Sequence, residues 1–341
     1  SLSNIMEDDN AKAQELVKGG CVTAQLSHIS STIYIEAKVR AKGHWAAVYI
    51  TGSHTHIACI MKDGAVLQGA VPKLAEEASS QEDVPALIHQ HSFSDILSYV
   101  NKVPAEDLAF IRDAFSMNHE LLLQGLASDR ALFTARLYES NGSQLISGDL
   151  QKMAQLYSSG AIEARVIGLS KPAMSITGSG AHGIIATMPL YAVYQAGRCT
   201  EEQLLRAAAL SCLVCMYIKE YSGRLSAFCG CGIAAGTGMA CGLAYLQGAD
   251  ENTLAMVIRN MASGITGMIC DGGNQGCTMK SIVAVDAAFR AVDFALKGIA
   301  IDSCHGINGA SPEETMRSMG RIASPGMVKT EEVIVEIMRT K

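Results

Sequence analysis

The chain has 341 residues, 49% of them hydrophobic and 18% charged, which is enough apolar material for a large core and too much for a disordered polypeptide. With 27 Lys and Arg against 33 Asp and Glu the net charge is −6, so no basic field exists to hold nucleic acid or an anionic membrane surface. The 11 cysteines are odd in number and, at about 3% of the chain, far below the share of a disulfide scaffold, so a reducing, cytoplasmic setting is expected.

The first twenty residues carry Glu7, Asp8 and Asp9 and lack the apolar stretch of a secretory signal. The opening Ser1-Leu2 reads as a start downstream of a native N terminus. Residues 11–18 end a short helix that Gly19-Gly20 stops. From Val22 to Gln68 β-branched runs take over, at 33–39, 46–50 and 55–60, separated by Lys42-Gly43 and Gly52-Ser53, with a hairpin turn at Lys62-Asp63-Gly64. Beyond about residue 75 the period lengthens, and helices are expected at 82–101, 104–126, 149–166, 184–197, 201–221, 232–247, 251–266, 278–297, 312–322 and 330–339. The fold class is therefore α+β: a small antiparallel sheet unit over residues 1–75, then a mostly helical unit over 76–341.

On the helix at 278–297, Asp286, Arg290, Asp293 and Lys297 form one narrow polar stripe with two opposite-charge pairs, so most of the circumference is expected to be buried. Pro172–Gly197 and Leu225–Ala249 contain no Asp, Glu, Lys or Arg, and each is long enough to span a bilayer. Both are rich in Gly, Ala, Ser and Thr and lack interfacial flanks, which favours buried central helices and no membrane.

Four cysteines stand apart: Cys229 and Cys231 in Phe228-Cys-Gly-Cys-Gly-Ile-Ala-Ala-Gly-Thr-Gly, and Cys270 and Cys277 in Met268-Ile-Cys-Asp-Gly-Gly-Asn-Gln-Gly-Cys-Thr-Met-Lys280. On a continuous helix Cys270 and Cys277 would lie about 10 Å apart, whereas Gly272, Gly273 and Gly276 favour a loop that turns them together. Cys229 and Cys231 both converge if their segment is a loop, and only one does if it is helical. Each loop runs into an apolar helix whose positive N-terminal end favours thiolate. Zinc and an iron-sulfur cluster are the chemical options, although neither spacing is a usual zinc knuckle. Cys21, Cys59, Cys199, Cys212, Cys215, Cys241 and Cys304 read as packing residues.

The blocks Ser175-Ile-Thr-Gly-Ser-Gly-Ala-His-Gly-Ile184, Cys229-Gly-Cys-Gly-Ile-Ala-Ala-Gly-Thr-Gly238, Met268-Ile-Cys-Asp-Gly-Gly-Asn-Gln-Gly-Cys277, and Gly306-Ile-Asn-Gly-Ala-Ser-Pro-Glu-Glu-Thr-Met316 through Gly320-Arg-Ile-Ala-Ser-Pro-Gly-Met327 resemble the L-cysteine desulfidase family, related to the iron-sulfur L-serine dehydratase alpha chain. The resemblance runs from about residue 11 to the end. It implies an oxygen-sensitive lyase with a 4Fe-4S cluster, acting on L-cysteine or L-serine to give pyruvate and ammonia. Its cluster ligands fall on Cys270, Cys277 and one of Cys229 and Cys231, with Cys229 favoured. Family members also carry a segment reading Pro-Ala-Leu-Gly-Cys-Thr-Glu-Pro, which this sequence lacks; the resemblance thus implies that the chain begins inside the family's N-terminal half and that the chain as given is inactive if that cysteine is essential.

For such chemistry, Thr177, Gly178, Ser179 and Gly180, leading into the helix with His182, offer a helix N terminus for a substrate carboxylate. His182 either holds the substrate or takes a proton, or simply fills a polar pocket. Ser53-His54-Thr55 resembles a Ser-His-Thr substrate loop of serine dehydratases and otherwise reads as a surface turn. Asp271 and Lys280 serve the cluster's surroundings or face solvent; Ser179 and Lys280 join His182 as catalytic candidates. Two other readings stand: a non-catalytic metal-binding or structural protein of the same fold, and a pyridoxal-phosphate lyase with Lys171 as its Schiff-base lysine. The partner is a small amino acid, and a homodimer is compatible with the sequence.

Overall fold

Lys42-Gly43 and Asp63-Gly64 hold positive φ at both positions, 50° and 82°, then 48° and 89°. That is the turn geometry matching the twist of two antiparallel strands, and it joins β1 (Tyr34–Ala41) to β2 (His44–Thr51) and β3 (Ile57–Lys62) to β4 (Ala65–Gly69). The computed structural model describes residues 6–25, 33–53, 55–72, 86–223 and 226–340. Within them, α1 (Glu7–Lys18) precedes a four-stranded antiparallel sheet in the order β1-β2-β3-β4. Ala47, Tyr49 and Cys59 form a small core of its own on this sheet, and the Lys38 ammonium sits 4.2 Å from the centre of the Trp45 ring.

Helices make the rest: α2 (Phe93–Lys102), α3 (Arg112–Leu126), α4 (Leu132–Ser140), α5 (Leu150–Val166), α6 (Gly180–Gln195), α7 (Glu201–Ser222), α8 (Gly236–Leu246), α9 (Glu251–Ile265), α10 (Gly276–Leu296), α11 (Pro312–Arg321) and α12 (Val328–Arg339). Several start where a polar side chain accepts from the first turn. Ser92, Asp149, Thr200, Asp250 and Ser311 each take one backbone N–H three residues on. The expected helix at 104–126 is divided into a 3-10 segment (Ala105–Ile111) and α3, and residues 82–85 of the first expected helix lie outside the described residues.

The two charge-free stretches become α6 and α8, with nearly every residue of both buried. α8 lies against α7 and α10, and α5 runs beside α6 and α10, so five helices share one core with Phe228, Tyr157, Leu121 and Leu122 fully inside. Burying each such side chain is worth about 1.5–3 kcal/mol, which is why small-residue helices are placed centrally and charged faces outside. Among the described residues no helix is long and apolar enough to cross a membrane. On α10, Asp293 and Lys297 pair at 2.7 Å as expected, while Asp286 accepts from Gln151 and Gln155 of α5 at 2.6 Å each.

Candidate active site

The loops that carry the cysteines are tied together by backbone. Phe228 and Ile269 form an antiparallel bridge: Cys229 N–H donates to the Met268 carbonyl at 3.0 Å, and Cys270 N–H donates to Ala227 at 2.6 Å. After Gly230 the chain enters a single wide helical turn, Cys231–Ala235, that feeds α8. The segment is thus helical only from Cys231 onward, and the Cys229 and Cys231 sulfurs meet at 3.3 Å. Cys277 sits in the first turn of α10, its thiol 3.6 Å from the Gly272 carbonyl, so the glycine loop does fold back on it. Cys229, Cys231 and Cys277 are buried and Cys270 is half-buried.

Charge around the thiols favours one thiolate. Donation from Cys231 and from the Gly232 amide, with Lys280 nearby, holds Cys229 below the ordinary thiol range. Cys231, donating into that bond and buried, is pushed up. Burial also raises Cys270. Lys280 is engaged in an ion pair with Asp271, whose carboxyl the ammonium holds below its ordinary range. Lys280 is therefore largely covered and held by a carboxylate rather than extended into solvent.

His182 reaches the same place from the other side. Thr177 and Gly178 take positive φ, 53° and 82°, in a tight turn closed by Ile176 and Ser179, whose backbones exchange bonds of 3.2 and 3.0 Å. A β-branched residue in that region is strained, and the local bonding holds it there. The Thr177 hydroxyl donates to the Ile176 carbonyl at 2.7 Å and so accepts from His182 Nδ1 at 2.7 Å. That assigns the proton to Nδ1 and leaves the Nε2 lone pair free. Nε2 abuts Gly230: a methyl group built on Gly230 would lie 2.5 Å from it and 3.0 Å from Lys219 Cδ. Burial, with Lys219 and Arg165 nearby, drops His182 to about 3, so the ring is neutral at physiological pH.

The structure thus brings together Cys229, Cys231, Cys270, Cys277, Lys280, Thr177 and His182. Ser179 begins α6 with no partner for its hydroxyl among the described residues, and Gly178 and Gly180 shape the same turn. Ser53 and Thr55 lie in the turn between β2 and β3, and among the described residues no hydrogen bond joins them to the cysteine loops. His54 lies outside the described residues. Lys171 is exposed and pairs with Glu120 at 2.9 Å. Sequence reasoning passed over Lys219, which is 5% exposed. Its signal was a charge on the buried stripe of α7, beside Cys215, Ile218 and Ser222.

Among the described residues no three Cys, His, Asp or Glu side chains converge closely enough to hold a single metal ion. A mononuclear zinc site needs four donors within about 2.0–2.3 Å of one point, which this arrangement does not offer. A cluster spreads its ligands over several irons, and its negative charge suits the nearby Lys280 ammonium. Three thiols from two bridged segments fit that demand, with one member of the touching Cys229 and Cys231 pair sufficient.

The site joins buried thiols, a neutral histidine and a glycine-lined helix N terminus. The model of the serine dehydratase alpha chain family matches residues 2–336. The chain is 37% identical over 339 residues to a UPF0597 protein of Clostridium botulinum (strain Langeland), covering 99% of this chain and 78% of that protein. It is 34% identical over 341 residues to one of Caldanaerobacter subterraneus subsp. tengcongensis, covering 100% and 79%, and 33% identical over 307 residues to one of Clostridioides difficile, covering 90% and 72%. The chain belongs to the serine dehydratase alpha chain family.

Proposed function

We propose that this chain is a lyase that removes the β-substituent of L-cysteine or L-serine, with a 4Fe-4S cluster held by Cys270, Cys277 and one of Cys229 and Cys231. The observation that carries the reading is that the Cys229–Cys231 segment is bridged to the Cys270 loop while its Gly230 abuts His182 Nε2. Family membership supports the reaction class; L-cysteine as first substrate rests on the motif resemblance. Of the pair, Cys229 is the ligand we favour, because its surroundings already hold it toward thiolate.

When bound, the cluster supplies an open iron that draws electrons from the sulfur or oxygen on Cβ. The protein's own groups hold the substrate. The first N–H groups of α6 and the Ser179 hydroxyl hold the carboxylate. His182 Nε2 accepts from the substrate ammonium; a group that titrates at about 3 is too weak a base for the α-proton, so holding suits it better. Loss of the α-proton and of the β-substituent gives an aminoacrylate, which takes up water to yield pyruvate and ammonia, with sulfide released from cysteine or water from serine.

The test is iron and acid-labile sulfide content of protein purified without oxygen, with visible spectra before and after L-cysteine or L-serine. Four irons with matching sulfide, a substrate-dependent spectral change and pyruvate formation are expected. Cys270→Ser and Cys277→Ser should lose iron, while Cys241→Ala, at a packing position, keeps it. Zinc or no metal, together with no pyruvate, would overturn the proposal in favour of a non-catalytic thiol-rich fold.

A further inference from the structure

Two cations flank the start of α6 without an acidic partner among the described residues. Lys219 is 5% exposed, and among the described residues its ammonium makes no ion pair or hydrogen bond. Arg165, near the C-terminal end of α5, is exposed and likewise unpaired; a methyl group on Gly180, the first residue of α6, would lie 2.8 Å from its Nε. A buried ammonium without a counter-charge is costly and is kept where an anion completes it.

The thiols are one candidate anion, since Lys219 lies near Cys229, Cys231 and Cys270. Both cations, however, also border the first turn of α6: a methyl group on Gly230 would touch His182 Nε2 at 2.5 Å and Lys219 Cδ at 3.0 Å, and one on Gly180 would touch Arg165 Nε at 2.8 Å. The neighbour that Lys219 and Arg165 share is therefore the α6 entrance. There the helix dipole, the Ser179 hydroxyl, which has no partner among the described residues, and two positive side chains border one turn, a concentration of donors and positive charge that a single carboxylate would satisfy.

We propose that Lys219 and Arg165, with the N–H groups that open α6, form the seat of the substrate carboxylate, Lys219 as its buried charge and Arg165 as its rim. The proposal rests on the lyase reading for the identity of the substrate. It differs from that reading in what it requires: a carboxylate, whatever the fate of the β-substituent.

The experiment is calorimetric binding of L-serine, L-lactate and L-serinamide to the full chain purified without oxygen, as wild type, Lys219→Met, Lys219→Arg and Arg165→Met. Wild type should bind serine and lactate and reject the amide. Lys219→Met should weaken both acids by about 30-fold or more, Lys219→Arg should recover part of that loss, and Arg165→Met should cost roughly tenfold or less because its charge is screened. Iron content and unliganded thermal midpoint of Lys219→Met should match or exceed wild type. Wild-type affinity for the acids in Lys219→Met would overturn the seat while leaving the lyase reading intact. Loss of iron in Lys219→Met, or equal binding of acid and amide by wild type, would also overturn it. Lys219-dependent lactate binding without any pyruvate from serine or cysteine would keep the seat and remove the lyase reading, and no carboxylate binding by wild type would sink the seat.

Discussion

Thr177 and His182 are joined by a 2.7 Å hydrogen bond that fixes which imidazole nitrogen carries the proton. Thr177→Val removes the hydroxyl acceptor and leaves the buried Nδ1–H with only the Ile176 carbonyl, at a cost of roughly 0.5–1.5 kcal/mol. Thr177→Ser keeps the hydroxyl and relieves β-branching at a positive φ, so its stability should equal or exceed wild type. Urea unfolding separates the two variants. Nitrogen NMR of the His182 ring should show protonated Nδ1 in wild type and Thr177→Ser, and a changed tautomer balance in Thr177→Val.

Glu163 makes a second long-range connection. Buried on α5, it accepts from Phe133 N–H at 3.2 Å, Thr134 N–H at 2.6 Å and Thr134 Oγ1 at 2.7 Å, and so caps α4 from another helix. Glu163→Ala should cost roughly 3 kcal/mol or more, since it leaves three donors without a partner. Equilibrium denaturation checks this, and a loss under about 1 kcal/mol would refute the capping role.

That cap also explains what the sequence made legible. The helices after Asp149, Thr200, Asp250 and Ser311 carry their own start signals, and their expected positions agree with the structure. α4 begins after Ala131, which has no capping side chain; its signal sits thirty residues away in Glu163, and no local pattern announces it. The same logic governs the site. Glycine loops marked Cys229, Cys231, Cys270 and Cys277, but that His182 and Lys219 would meet at Gly230 depended on how α6, α7 and the wide turn before α8 pack. The α6 start was expected at residue 184 and lies at Gly180, because a tight turn at Thr177-Gly178, rather than a capping bond, sets it.

Glycine placement in the core gives a paired prediction. A methyl group on Gly238 of α8 would overlap the Ser211 carbonyl oxygen of α7, so Gly238→Ala should lose roughly 3 kcal/mol or fail to fold. Gly264, on α9, has nothing within 4 Å of the same position. Gly264→Ala should therefore be neutral or gain up to about 1 kcal/mol from helix propensity. Thermal unfolding of both variants reads the contrast directly.

Glu313 of α11 accepts from Phe93 N–H of α2 at 2.6 Å. Partial burial works against its charge, but this bond and its neighbours in the first turn of α11 leave the carboxyl below its ordinary value. A carboxyl lowered in the folded state contributes stability above its unfolded pKa and loses it as pH falls through the folded one. Glu313→Gln should thus cost about 1 kcal/mol near neutrality. The difference from wild type should shrink toward zero below the carboxylate range, as urea midpoints measured across pH will reveal.

Of the four thiols gathered at the site, only Cys270 has appreciable contact with solvent; Cys229 is 1%, Cys277 6% and Cys231 7% exposed. A reagent arriving from outside therefore meets them in sequence rather than together. Alkylation by iodoacetamide should label Cys270 first and the other three only as the loops at 227–232 and 268–276 open, so the order of labelling reports local opening of this corner of the protein. The same order governs damage: an oxidant that reaches the site strikes Cys270 before its buried neighbours, making the residue nearest the surface the gatekeeper of the three behind it.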